Sequence, residues 1–405
     1  NFDFSLEQKL DVLTKGLKAH IKGAYNSGVT DKRRREGKAD QYEAYLTESG
    51  ETLIRKIQEA QTMGWTQEAG QSRDWYLEAA LNFQRDFGLH HVSALAMYNQ
   101  TMKYYPSKNT GIPRSYVGFV GRATYDYKTR YLLDLSIGYN GSENFAEGKR
   151  FGTSVGWIIS EEKFMEPLKP YVSYLKLRAS YGIVGNDIVS DGSRFLYLPD
   201  SYIISTAGGN NTTGIYSFGS TTNNFLPGAK ESKVGNPDVT WETAAKQNYG
   251  VDLHFFDSHL KTSFDYFIEH RKDILISRQV NPGYLAISLP IVNMGKVDNK
   301  GFEVTARWED AIRDFSYYIG TSWSYAKNKV IFKDEIPQPY EWMCETGRPV
   351  GQQFGYVNDG FFTEEDAANY ESLKGKENGI PDHGSGFSPI AGDVKYKDLN
   401  KDGKI

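Results

Sequence analysis

The stretch that decides the fold is YVGFVGRATYDYKTRYLLDLSIGYN, residues 116–140. Val117, Phe119, Ala123, Tyr125 and Tyr127 fall on one parity, against Arg122, Thr124 and Asp126 on the other. Beyond Lys128 and Thr129, Tyr131, Leu133, Leu135, Ile137 and Tyr139 alternate with Leu132, Asp134, Ser136, Gly138 and Asn140. Side chains leave a strand on opposite faces in turn, so this is a hairpin with one apolar and one polar face. The apolar face meets either a protein interior or lipid.

Working outward, the same alternation returns at 2–10 and 17–26, 74–85 and 89–104, 153–160 and 172–184, 241–255 and 260–270, and 301–308 and 315–325. The clearest repeat carries Trp241, Tyr249, Val251, Leu253 and Phe255 into the turn FDSH, then Leu260, Phe264, Tyr266 and Ile268. Connections after residues 10, 85, 127, 160, 256 and 308 are short, and those after 26, 104, 140, 184, 270 and 325 are long. Transmembrane barrels have that asymmetry, with short periplasmic turns and long extracellular loops. The stretches 27–72, 185–238 and 326–405 are expected to be mainly extracellular loops, with a short helix near 50–60.

Composition agrees. The 405 residues include 28 Tyr, 22 Phe and 40 Gly, yet only 39% are hydrophobic. Aromatic, glycine-rich and polar alternation suits a large barrel with a wet interior. The net charge of −4 lacks the basic excess of a nucleic-acid binder. Cys344 is the one cysteine, so no internal disulfide forms. No run approaches the ~18 apolar residues of a membrane helix. The chain opens within an apparent strand, NFDFSL, and closes within a loop motif, DLNKDGKI, and reads as a segment of a longer protein. The expected fold is all-β, a large antiparallel transmembrane β-barrel, because a lipid-facing sheet must close to satisfy its backbone.

Five blocks carry a family resemblance: residues 121–164, LKLRASYGIVGN (175–186), residues 235–275, NMGKVDNKGFEV (293–304) and AGDVKYKDLNKDGKI (391–405). In that order they resemble the SusC/RagA family of TonB-dependent outer-membrane transporters. The chain departs from the family at YNGS (139–142), where Arg-x-Asp-Gly-Ser is usual, and at FGTS (151–154), where Phe-Pro-Ser is usual. The resemblance implies a 22-stranded barrel whose plug and closing C-terminal strands lie outside this chain. It implies a Gram-negative, Bacteroidetes-like outer membrane and TonB–ExbB–ExbD as the energy source. It also implies a SusD-like surface lipoprotein as lid. The cargo it implies is large, an oligosaccharide first and a peptide as the alternative. A further alternative is a surface binding protein that imports nothing.

The remaining motifs are weighed against plainer readings. DLNKDGKI matches the start of a calcium loop, with Asp398, Asn400 and Asp402 at alternate positions, Gly403 at the turn and the Lys404 carbonyl as a ligand. The other reading is a polar Asp/Asn/Gly turn. GTSVG (152–156) matches a hydrolase nucleophile elbow, but that elbow needs a helix after the serine, and a strand is expected here. Ser154 is therefore expected to be a wall residue. KRRR (32–35) reads as a solvated loop, or as a contact with lipopolysaccharide phosphates or a partner lipoprotein. His90 and His91 are adjacent and face opposite ways. His20, His254, His259, His270 and His383 are scattered without metal-ligand spacing. Tyr202, Tyr216, Phe218, Phe225, Tyr340, Trp342, Tyr356, Phe361 and Phe362 are loop aromatics that either stack on cargo or pack on one another. No Ser/His/acid constellation can be assembled, so the chain is not expected to be an enzyme.

Overall fold

The computed structural model describes residues 1–47, 51–104, 113–145, 148–188, 194–198, 202–204, 215–217, 225–227, 229–231, 234–279, 289–376, 379–384 and 386–405. They form two compact units, Asn1–Ile336 and Pro337–Ile405.

In the first unit the alternating segments build one antiparallel sheet. Among the described residues it has twelve strands: β1 Phe2–Lys9, β2 Leu17–Lys38, β3 Gln61–Phe87, β4 His90–Tyr104, β5 Arg114–Tyr127, β6 Tyr131–Ser142, β7 Gly148–Ile158, β8 Val172–Asn186, β9 Glu242–Phe255, β10 Leu260–Ser277, β11 Ile291–Ile312 and β12 Phe315–Phe332. Each pairs with its neighbours in chain order, which is a simple up-and-down meander. This is the strand order of an up-and-down barrel wall, with β1 and β12 as edges among the described residues.

The register separates two chemistries. One row runs Tyr125, Leu133, Val155, Ala179, Tyr249, Tyr266, Phe302 and Tyr325. The next runs Thr124, Asp134, Ser154, Ser180 and Asn248. A slip of one residue in any strand would put its apolar set on the polar face, so the pattern itself specifies the register. The apolar row is not a covered core: Leu135 is 49% exposed, Ile137 63% and Trp323 66%. Its members touch each other along the surface, as in Tyr98–Phe119 at 5.0 Å and Phe302–Tyr325 at 5.8 Å between ring centres. An apolar surface of this extent on a sheet that hydrogen-bonds strand to strand is what hydrocarbon, rather than water, stabilises.

The short turns are built by local chemistry. Between β5 and β6, Lys128 and Thr129 take left-handed conformations (φ 55° and 56°). The Asp126 carboxylate accepts the Thr129 N–H at 2.6 Å. Between β9 and β10, Phe256, Asp257 and Ser258 all have positive φ. Ser173 Oγ accepts the Ser258 N–H at 3.0 Å and ties that turn to the start of β8. Gly16 is required: at φ 87° an added Cβ would stand 2.0 Å from the Gln84 carbonyl oxygen.

Several expectations change. The polar stretch 27–72 is largely strand, because β2 continues to Lys38 and β3 begins at Gln61. The helix expected near 50–60 is strand Thr52–Gln58, paired with Gln41–Leu46. β10, β11 and β12 likewise run past the expected 270, 301 and 325. The connection between β6 and β7, expected to be long, spans residues 143–147. Within 185–238 the described pieces include two three-residue ladders, Tyr202–Ile204 with Ala229–Glu231 and Ile215–Ser217 with Phe225–Pro227. Residues 185–188, 194–198 and 234–238 of that insertion are described as well, and the remainder lies outside the described residues.

The second unit, expected to be mostly loop, has its own small core of Phe362, Tyr370 and Ile380 with Phe387 against them. Helix α1, Glu364–Leu373, starts at a reciprocal cap: Thr363 Oγ1 accepts the Asp366 N–H, and the Asp366 carboxylate accepts the Thr363 N–H. A short ladder joins Asn358–Phe361 to Val394–Tyr396.

Candidate functional site

The polar face of the sheet is the candidate site. Alternation brings Lys18, His20 and Lys22 of β2, Glu78 of β3 and Arg122 of β5 to the same face as Asp134 of β6. That face continues through Arg178 of β8, Lys246 and Asp252 of β9, Asp265 and Glu269 of β10 and Glu303 of β11. Across strands Arg122 pairs with Asp134, Arg178 with Asp252 and Asp265, and Lys246 with Glu269.

The densest group centres on Arg178. Its guanidinium donates to Asp252 at 3.1 Å through Nε and Nη2, and to Asp265 at 2.7 Å through Nη1 and Nη2. Nη2 also donates to Ser263 Oγ at 3.0 Å. One planar cation thus joins β8, β9 and β10, the geometry that suits Arg and not Lys. Gly250 makes the approach feasible, since a Cβ there would lie 2.5 Å from the Arg178 guanidinium carbon. Arg122 donates to Asp134 at 2.9 Å through Nε. A groove of about 680 Å³ runs over Tyr174, Asp252, His254, Lys261, Ser263 and Arg307.

A second group lies near the long-connection ends. Phe145, Leu196, Val239 and Trp241 form a buried apolar cluster. Arg194 beside it is 8% exposed and pairs with Glu143 at 3.1 Å. The Asn236 side chain donates to the Ile291 carbonyl at 2.9 Å. These contacts fasten parts of the connections to the sheet. Arg150 rests over the Trp241 ring at 5.2 Å.

One constellation could not be found by reading the sequence. Ser5 Oγ lies 3.2 Å from His20 Nε2, and His20 Nδ1 lies 3.3 Å from Glu78 Oε1. The Tyr76 hydroxyl donates to the same Glu78 carboxylate. Only the register of β1, β2 and β3 brings these together. Ser5 sits on regular strand, without the turned backbone that lifts a nucleophile out of a sheet. The group is part of the wall's hydrogen-bond network.

The other sequence candidates are placed as follows. Ser154 is mid-strand in β7, opposite Asp134 and Ser180, and the strand runs on to Ile158 where an elbow would turn into a helix. KRRR lies in the extended part of β2, where Arg33 pairs with Asp31 at 3.0 Å and Arg34 with Glu36. His90 contacts the Tyr125 hydroxyl and His91 the Asp86 carboxylate, on opposite faces. Phe362 is buried in the second unit's core. Tyr340 and Trp342 stack in parallel at 4.6 Å, Tyr356 packs near Tyr396 at 5.1 Å, and Phe361 is exposed. Phe218 lies outside the described residues, as do the side chains of Tyr202, Tyr216 and Phe225.

In the calcium-like loop, Asp398 accepts the Lys401 and Gly403 N–H groups, both at 2.7 Å. Asp402 accepts the Lys404 N–H at 2.9 Å, and Asn400 donates to Asp402 at 2.8 Å. Asn400 also donates to the Tyr340 hydroxyl at 2.8 Å. Each carboxylate oxygen retains a second lone pair for a hard cation. Among the described residues no cluster of three or more His, Cys, Asp or Glu is placed to hold a metal.

Comparison with known proteins gives three findings. The profile of the family described as TonB dependent receptor-like, beta-barrel matches residues 1–388. The chain is 34% identical over 249 residues to TonB-dependent receptor P39 of Formosa agariphila, covering 60% of this chain and 22% of that protein. It is 27% identical over 231 residues to TonB-dependent receptor SusC of Bacteroides thetaiotaomicron, covering 56% of this chain and 21% of that protein. Among solved structures, the RagAB peptide importer in its open-open state superimposes with a TM-score of 0.65 over 96% of this chain and 42% of that one. At 14% identity that likeness is one of fold alone. The chain spans between 21% and 31% of the length of its curated relatives.

Proposed function

Because the chain belongs to the TonB-dependent receptor-like β-barrel family, related to SusC and RagA and resident in the Gram-negative outer membrane, we propose that its protein actively imports a large nutrient. The observation that carries this is the division of one sheet into an exposed apolar face and an ion-paired polar face. The first suits lipid, the second a water-filled passage. Family membership makes the chain a transporter component and not an enzyme.

In this reading energy arrives from TonB–ExbB–ExbD, and a SusD-like lipoprotein covers the mouth. The long connections, including the end of the β2–β3 hairpin and the stretches 185–238 and 326–405, face the outside. The cargo is a peptide. Oligosaccharides were expected first, but the solved importer that shares this fold is described as a peptide importer, and that favours the alternative. Calcium held by Asp398, Asn400, Asp402 and the Lys404 carbonyl belongs to the same proposal, as an element that fixes an outer loop.

The test is a deletion strain grown on a peptide digest or on an oligosaccharide mixture as sole nutrient. Loss of growth on peptides alone, reproduced by removing TonB, is the expected result. Loss confined to oligosaccharides restores the first cargo expectation. Surface binding of cargo with uptake unchanged in both strains would replace transport by the non-importing binding protein.

A further inference from the structure

The connection between β7 and β8, residues 159–171, consists of two 3₁₀ segments, Ile159–Glu161 and Lys163–Leu168. Glu162 between them is the fastening point. The Tyr131 hydroxyl donates to its Oε1 at 2.7 Å and Trp157 Nε1 donates to the same oxygen at 3.2 Å. Arg130 Nη1 donates to Oε2 at 3.3 Å. Tyr131 and Trp157 are register partners on the apolar parity, stacked at 6.4 Å. The carboxylate therefore lies on the lipid side of the strand ends, and it draws the connection to that side.

The connection is also held from within. Ser160 and Met165 are buried. Met165 N–H donates to the Glu162 carbonyl at 3.0 Å, Lys169 N–H to the Met165 carbonyl at 3.1 Å and Tyr171 N–H to the Leu168 carbonyl at 3.0 Å. On this frame Phe164, Leu168 and Tyr171 remain exposed, at 64%, 49% and 66%. Lys163 and Lys169 are exposed among them. Tyr131 and Trp157 of the sheet's apolar row join this segment through their hydrogen bonds to Glu162. Large apolar side chains interleaved with lysines beside an aromatic girdle match the boundary between headgroups and acyl chains, where lysine stems lie along apolar surface and their amines reach phosphate.

We infer that residues 159–171 form an interfacial anchor seated in the phospholipid headgroup–acyl boundary of the periplasmic leaflet. Phe164, Leu168 and Tyr171 enter the boundary, and Lys163 and Lys169 meet phosphate. The anchor rests on the outer-membrane placement above, with short turns at the periplasmic end.

The test uses the full-length transporter in nanodiscs of phosphatidylethanolamine and phosphatidylglycerol, on a Cys344→Ser background free of other cysteines. Nitroxide labels are placed singly at Phe164→Cys, Leu168→Cys, Leu135→Cys and Ser136→Cys. Collision with oxygen, which partitions into lipid, is compared with collision with a water-soluble nickel chelate. Oxygen should prevail at 164 and 168, less strongly than at 135, and nickel should prevail at 136. Nickel prevailing at 164 and 168 while oxygen prevails at 135 overturns the anchor and leaves the membrane belt standing. Nickel prevailing at 135 as well overturns both. Adding Glu162→Ala should shift the 164 label towards water and leave 135 unchanged. An unmoved 164 label would remove Glu162 from its fastening role.

Discussion

At the scale of the residue, parity decides environment. Leu135 and Ser136 are neighbours on β6, with the first on the apolar parity and the second on the polar one. Arg at Leu135 should cost ~2–4 kcal/mol near the bilayer midplane, while Arg at Ser136 should cost little. Unfolding of the reconstituted protein in urea measures both, and equal costs would contradict the facing. Glu162 gives a second residue-scale test. The hydrogen bond from Tyr131, then that from Trp157, holds its carboxyl below the usual 4.5. A depressed folded value contributes stability above the unfolded pKa and loses it as pH falls through the folded one. The melting midpoint of Glu162→Gln should therefore lie below that of the unaltered protein at neutral pH. The gap should close in acid below that range.

At the scale of the element, close approach between strands sets what each position tolerates. A Cβ on Gly301 of β11 would stand 2.2 Å from the Tyr325 carbonyl oxygen and 2.7 Å from the Phe267 ring. The obstacle is partly backbone, which cannot swing aside, so Gly301→Ala should part β11 from β12. Gly320→Ala on β12, whose nearest neighbours lie at 3.9 Å, should be neutral. Heat-modifiable mobility of the folded barrel on gels distinguishes the two. In the second unit, burial lowers the pKa of His383 from its usual 6.5, against a smaller opposing pull from Asp382. Its ring stacks on Phe387 at 4.8 Å and on Tyr396 at 5.5 Å, with Phe362 and Tyr370 edge-on. The folded unit resists the proton that the unfolded chain accepts, so its stability is full above pH 6.5 and declines below it. Protection of the amides across 362–387, measured against their intrinsic exchange rate at each pH, should fall between neutral pH and mild acid, and His383→Phe should abolish that fall.

At the scale of the whole molecule, the belt was legible in the sequence and the parts beyond it were not. Leu133, Leu135 and Ile137 alternate against Asp134 and Ser136 because lipid and water lie on opposite sides of them. Lys32, Arg33, Arg34 and Arg35 are strand as well, but both faces there meet water, so nothing marks the period. Leu53, Ile54 and Ile57 have helix-like spacing, and pairing with Gln41–Leu46 overrides it. The links from Ser5 to His20 to Glu78 and from Arg178 to Asp252 to Asp265 depend on register across strands, which no linear motif records. The second unit's core assembles Phe362, Tyr370 and Ile380 from segments with no common period.

The β2–β3 pair has a consequence of its own. A tilted strand crosses a bilayer in about 9–11 residues, whereas β2 has 22 and β3 has 27. At roughly 3.3 Å per residue, some 50 Å of the longer strand is left over. In the proposed placement, with the short connections towards the periplasm, that surplus would stand as a mast above the cell surface. A phage tail fibre, an antibody or a grazing protease would strike it well before reaching the passage, which makes it the place where immune or viral pressure would first leave its mark.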